Sequence, residues 1–144
     1  RLRDLWEYVL ADGWWPPVCT GTMYVTIGGA AAMNVHGKNA YKVGTIGNHI
    51  LEFDLLLPDG ETITCSRNQN DDVFYAAIGG FGMLGCFTSI TLQMKRIYSG
   101  LLNVAVVNCR SLGALFAEFE RRIPNSDYLV GWVDTTATGA ATGR

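Results

Sequence analysis

The sequence predicts an α+β fold. Three observations carry that expectation. Apolar residues recur at helical spacing in residues 2–11, 73–78 and 112–119. Period-two alternation marks residues 61–65 and 86–94. A Leu57-Pro58-Asp59-Gly60 turn, with Pro at its favoured second position, joins two strand-like runs.

In chain order, Leu2, Leu5, Trp6, Val9 and Leu10 predict an amphipathic helix that Asp12-Gly13 stops. Trp14-Trp15-Pro16-Pro17 reads as a turn, because paired prolines cannot continue a helix. Residues 20–49 hold six glycines, at 21, 28, 29, 37, 44 and 47, a density expected of backbone that turns tightly or approaches something closely. Ile50 to Leu57 and Glu61 to Cys65 form a hairpin. Asn70 caps a helix whose first turn carries Asp71 and Asp72, where negative charge suits the dipole, and whose stripe is Val73, Phe74, Ala77 and Ile78. Gly79-Gly80 ends it. A strand follows, with Cys86, Thr88, Ile90, Leu92 and Met94 on one face. A boundary falls at Ile97 to Gly100. Beyond it the pattern predicts a strand over 101–107, a Ser111-capped helix with Leu112, Leu115, Phe116 and Phe119 inward, and a strand over 128–133.

The chain has 144 residues, 49% hydrophobic and 17% charged, enough to bury a core and too little charge for disorder. Net charge is −2 with no basic run, which excludes a nucleic-acid partner; Arg121-Arg122 suits a helix C-terminus instead. No apolar run reaches the ~18–20 residues of a transmembrane span, and no signal peptide is visible, so a cytoplasmic location is expected. Cysteines at 19, 65, 86 and 109 contain no CxxC pair, so reduced packing thiols are expected and no metal site. An opening without Met and a close on Ala140-Ala141-Thr142-Gly143-Arg144 read as a segment of a longer protein.

Two glycine motifs compete for attention. Gly80-Phe81-Gly82-Met83-Leu84-Gly85 matches the dinucleotide fingerprint letter for letter. That motif needs a strand before it and a helix after it, and here the order is reversed, so a helix-to-strand connection is expected. The earlier Thr26-Ile27-Gly28-Gly29-Ala30-Ala31-Ala32-Met33 is different. A helix beginning at a glycine pair offers N–H groups to an anion such as a pyrophosphate, and Thr20, Thr22 and Thr26 add hydroxyls. The same residues equally suit a helix packed tightly on a neighbour. His36 and Lys38 follow at once, an imidazole and a cation placed to move a proton or stabilise an anion, or else a carbonyl-bound histidine and a solvated lysine. His49 is read as structural. No Ser-His-Asp or HExxH spacing supports a hydrolase or metal reading.

Three segments together resemble a known family: TGTMYVTIGGAAAMNVHGKN, GTIGNHILEFDLLLPDGE and DDVFYAAIGGFGMLGCFTSITLQM. They are similar to the FAD-binding domain of the vanillyl-alcohol oxidase and p-cresol methylhydroxylase superfamily, with the HGKN and GNH elements most similar to its decaprenylphosphoryl-ribose 2′-oxidase branch. The likeness covers residues 1–97 well and 98–144 more loosely. It implies the C-terminal part of an FAD-binding domain over 1–97 and the beginning of a substrate domain over 98–144. It implies Gly21 and Thr22 along the flavin, Thr26, Ile27, Gly28 and Gly29 around pyrophosphate and ribityl chain, and Met33, Asn34, Val35 and His36 near the isoalloxazine ring. It further implies the Phe87 backbone at the adenine end and Lys38 on the substrate side of the ring, with His36 and Lys38 acting on the chemistry. Met33 stands where the 2′-oxidases have a cysteine, and Phe81 where they have an asparagine.

The activity so implied is oxidation of a sugar-like alcohol by hydride transfer to flavin N5, with FAD as cofactor. A flavin-dependent reductase of the same superfamily and a non-catalytic α+β module are the alternatives.

Overall fold

The computed structural model describes residues 1–136. It divides into two compact units, Arg1–Gly100 and a second that opens at Leu101.

The first unit is built on a three-stranded antiparallel sheet in the order β3-β2-β4, from β2 (Ile50–Leu56), β3 (Thr62–Ser66) and β4 (Cys86–Leu92). β2 and β3 are the expected hairpin. Its turn closes with the Gly60 N–H on the Leu57 carbonyl, and Gly60 takes φ +90°, a conformation that favours glycine. One face of the sheet buries Ile50, Phe53, Leu55 and Cys65 against Phe74 and Ala77 of α4 (Asp71–Ala77) and Ala31 of α2 (Ile27–Ala32). Phe53 anchors this core: its ring stacks on Phe74 at 5.3 Å and meets Phe87 edge-on at 4.8 Å. A second cluster joins Val18, Ala30 and Ile46.

β4 departs from the expected alternation. Phe87 faces the core, yet so do Ile90 and Leu92, while Cys86 is exposed. The register explains this: Leu55 pairs with Phe87 and Asp54 with Ser89, so Thr88 is an extra residue that turns the strand over. A second irregularity, at Leu51 of β2, lets Ile50 and Phe53 share the buried face.

Helix α1 (Leu2–Leu10) forms as expected, with Leu2 as its buried residue. Trp14 and Trp15 correct the sequence reading. They are β1, a strand paired antiparallel with Lys95 and Arg96 of β5, and not a turn. The partner lies some eighty residues away, beyond the reach of local pattern. Arg96 caps the arrangement, its guanidinium 5.0 Å from the Trp14 ring centroid and donating to the Asp12 carbonyl. Asn70 precedes α4 where expected, but its side chain makes no capping hydrogen bond to the helix. At φ 48° its side chain turns away from the helix and donates to the Thr64 carbonyl at 2.9 Å. A one-turn helix, α3 (Ala40–Val43), and a 3-10 turn at Ile46–His49 complete this unit.

In the second unit α5 (Leu112–Arg122) forms as expected, with Ser111 Oγ accepting from the Ala114 N–H and Glu118 bonded to Arg121 and Arg122. Its expected inward stripe is half correct: Leu115 and Phe119 lie against Gly131, while Leu112 and Phe116 are exposed. The strands expected over 101–107 and 128–133 are absent from the described residues. A strand exists only through its pairing, and neither segment joins a sheet there. The small-residue tail from residue 137 onward lies outside the described residues.

Candidate functional site

The first glycine motif opens α2. Thr26 is its N-cap, accepting from the Gly29 N–H on Oγ1 at 3.0 Å. The glycine pair thus lies inside the first helical turn and does not precede it. The N–H groups of Ile27 and Gly28 open that turn, where no carbonyl one turn back can satisfy them. Gly28 backs onto Phe87: an added Cβ would lie 3.6 Å from the Phe87 Cβ, ordinary contact. Gly28 and Phe87, far apart in sequence, are therefore neighbours.

Upstream, Gly21 and Thr22 are exposed. The Thr20 hydroxyl, counted among the anion donors from sequence, donates instead to the Thr22 carbonyl. Thr22 Oγ1 accepts from the Tyr24 N–H and Thr26 Oγ1 from Gly29, so these two hydroxyls keep their own protons to donate. Gly21 is informative. Its φ is not in the left-handed region, and an added Cβ would meet nothing within 4 Å. Neither backbone conformation nor packing among the described residues calls for glycine here.

After α2 the chain turns through Asn34 at φ 44°. The Asn34 Oδ1 accepts from the Gly47 N–H at 2.9 Å, tying the helix end to the 3-10 turn. Val35 is half-buried and its carbonyl accepts from the Ile46 N–H; His36 pairs with Thr45 as an isolated bridge. Met33, His36 and Lys38 are exposed. His49 is structural as expected, with Nε2 2.9 Å from the Val43 carbonyl oxygen.

The second glycine motif does connect a helix to a strand, as expected. It also does something the sequence reading missed. The Gly79 N–H donates to the Ala31 carbonyl and the Phe81 N–H to the Ala32 carbonyl, so the loop fastens onto the C-terminal end of α2. Only the backbone bonds reveal this, and no residue type signals it.

Two polar residues given no role from sequence stand beside the site. Asn39 is buried, its Nδ2 donating to the Pro17 carbonyl at 2.8 Å. Arg67 borders a shallow cavity of about 190 Å³ with Asn34, Asn48, Phe74 and Tyr75, and donates to the Asn48 carbonyl. Among the described residues no group of three or more His, Cys, Asp or Glu is placed to hold a metal ion.

Comparison with known proteins decides what the α2 region belongs to. Residues 1–66 match the family described as an FAD binding domain. The chain carries part of an FAD-binding domain. That domain is of the p-cresol methylhydroxylase type and its cofactor is FAD; relatives of the chain are named as an oxidase and as dehydrogenases. The decaprenylphosphoryl-beta-D-ribose oxidase of Mycolicibacterium smegmatis is 37% identical over 94 residues, 65% of this chain and 20% of that protein. Cytokinin dehydrogenase 2 of Arabidopsis thaliana is 33% identical over 85 residues, 59% of this chain and 17% of that protein. A Streptomyces coelicolor protein named "Uncharacterized protein in mprA 5'region" is 36% identical over 143 residues, 99% of this chain. The chain spans 38% of that protein's length. Within this FAD-binding domain the donors present suit an anionic, extended cofactor: orphan first-turn N–H groups, two threonine hydroxyls and a glycine with open space in front of it.

Proposed function

We propose that the intact protein oxidises a sugar-like alcohol, with residues 1–97 holding part of the FAD and residues 98–144 beginning the substrate domain. In this reading Gly21, Thr22, Thr26, Ile27, Gly28 and Gly29 line the cofactor's phosphate and ribityl parts. Met33, Asn34, Val35 and His36 lie towards its ring, and the Phe87 backbone lies at its adenine end. FAD, when bound, supplies the acceptor for a hydride at N5. The Lys38 ammonium stabilises negative charge developing on the substrate oxygen, and the His36 imidazole hydrogen-bonds that oxygen and takes up its proton.

The observation that carries the reading is the exposed Gly21, whose missing side chain leaves space that no described residue fills, five residues before the N-cap of a helix with two glycines in its first turn. The choice of a sugar-like alcohol is supported by the name of the Mycolicibacterium smegmatis oxidase, 37% identical over 94 residues.

The test uses the intact protein. Lys38→Met and His36→Ala are made, flavin occupancy is confirmed, and flavin reduction by candidate sugar alcohols is followed anaerobically. Each variant keeps its flavin and slows reduction, by about 10²–10³-fold where a preorganised donor is lost. Wild-type reduction rates in both variants would return His36 and Lys38 to structural roles. A wild-type flavin that no alcohol reduces would overturn the substrate assignment.

A further inference from the structure

We propose that Asn39 is a positioning residue for Lys38, acting through a dock between the 36–39 turn and the Pro17–Cys19 segment. This rests on the assignment of Lys38 to the substrate side of the flavin.

Lys38 is exposed, and the residues on either side of it are anchored. Asn39 is 2% exposed and donates from Nδ2 to the Pro17 carbonyl at 2.8 Å, across twenty-two residues of chain. Gly37 lies so close to Cys19 that an added Cβ would stand 2.4 Å from the Cys19 carbonyl oxygen, a distance side-chain carbons do not tolerate. On the far side, His36 bridges to Thr45. A long, flexible side chain is thus carried on a backbone fixed at His36 and Gly37 before it and at Asn39 after it.

The Asn39 side chain is an expensive way to fill this space. Its Oδ1 is buried with no hydrogen-bond partner among the described residues. Leaving a buried acceptor unsatisfied is destabilising, so packing alone does not account for an amide here. The bond to Pro17 does. Pro17 offers only an acceptor, so the amide's orientation is dictated: Nδ2 must face the carbonyl. At 2% exposure Asn39 presents almost no surface to substrate or cofactor. Its influence on chemistry has to pass through the backbone of its neighbour. The same bond joins the Lys38 turn to the segment that runs on into Gly21 and Thr22, and so couples the position of the cation to that of the cofactor-lining backbone. Displacing a catalytic group by about 1 Å can cost up to about 10²-fold in rate without any loss of binding.

The test is a double-mutant cycle in the intact, flavin-loaded protein, with Asn39→Ser and Lys38→Met alone and together. Serine is too short to reach the Pro17 carbonyl. Asn39→Ser is expected to slow flavin reduction by about 10–10²-fold, mostly in the limiting rate and little in apparent substrate affinity. In the Lys38→Met background the same change is expected to have no effect beyond about twofold, because the group it positions has gone. A loss by the same factor in both backgrounds would show that Asn39 acts independently of Lys38 and would overturn the proposal. Lys38→Met reducing at the wild-type rate is a separate failure, of the role given to Lys38 itself, and takes the proposal with it. Should Asn39→Ser not retain flavin, Gly37→Ala opens the same dock from its other anchor and enters the same cycle. If that variant loses flavin as well, the dock serves folding and the positioning role is overturned.

Discussion

Asp54 shows what one side chain does for the sheet. It lies on the middle strand, and its carboxylate accepts from Ser89 Oγ on β4 and from Thr64 Oγ1 on β3, each at 2.7 Å. These bonds, Ser89's first and Thr64's second, hold its pKa below the ordinary value against a smaller opposing effect of burial. A folded-state pKa below the unfolded one adds stability above the unfolded value that is lost as pH falls through the folded value. Asp54→Asn is therefore expected to melt below wild type at neutral pH, with the gap closing as pH falls below the ordinary carboxylate value of about 3.9. Thermal melts across that range check it, and a gap independent of pH would contradict it. Phe81 is the converse case. It sits at φ 57°, 70% exposed, so its ring gains little from burial while its backbone is strained. Phe81→Gly is expected to raise stability by about 1–2 kcal/mol, read from denaturant midpoints. Neither role is legible in the sequence. Asp54 is one acid in an apolar run until its strand has neighbours, and the cost at Phe81 depends on a backbone angle that composition does not encode. Gly28, Gly29, His36 and Lys38 do stand out in the sequence, because glycine pairs and isolated cations in an apolar chain are uncommon enough to notice.

Most elements were legible where they are stabilised locally. α1, the β2–β3 hairpin, α4 and α5 each announce themselves by periodicity and a terminating residue, and each is present. β1 was not legible, because Trp14 and Trp15 become a strand only through Lys95 and Arg96. The phase of β4 was misread because the bulge at Thr88 is a property of the pairing and not of either strand. The expected strands at 101–107 and 128–133 show the same dependence in the opposite sense, since apolar alternation outside a sheet ladder yields no strand. Local control is testable at α2. Thr26→Ala removes the cap on Gly29 and is expected to destabilise the protein by about 0.5–2 kcal/mol. An unchanged melting temperature would mean that the Ala31 and Ala30 packing holds the helix without its cap.

At the scale of the whole molecule, the first unit brings sequence-distant pieces to one place. Gly28 meets Phe87, and the 79–81 loop fastens onto the end of α2. In the proposed function this surface, beginning at Gly21, faces FAD. Gly21→Val in the intact protein tests it, because Gly21 lies outside the left-handed region and a Cβ added there has no described atom within 4 Å. The measurement is the flavin content of purified wild type and variant, from visible absorbance per protein, alongside the melting temperature of each apoprotein. Equal apoprotein melting temperatures and a colourless or strongly depleted Gly21→Val are expected. A variant that is as yellow as wild type at equal stability would contradict it.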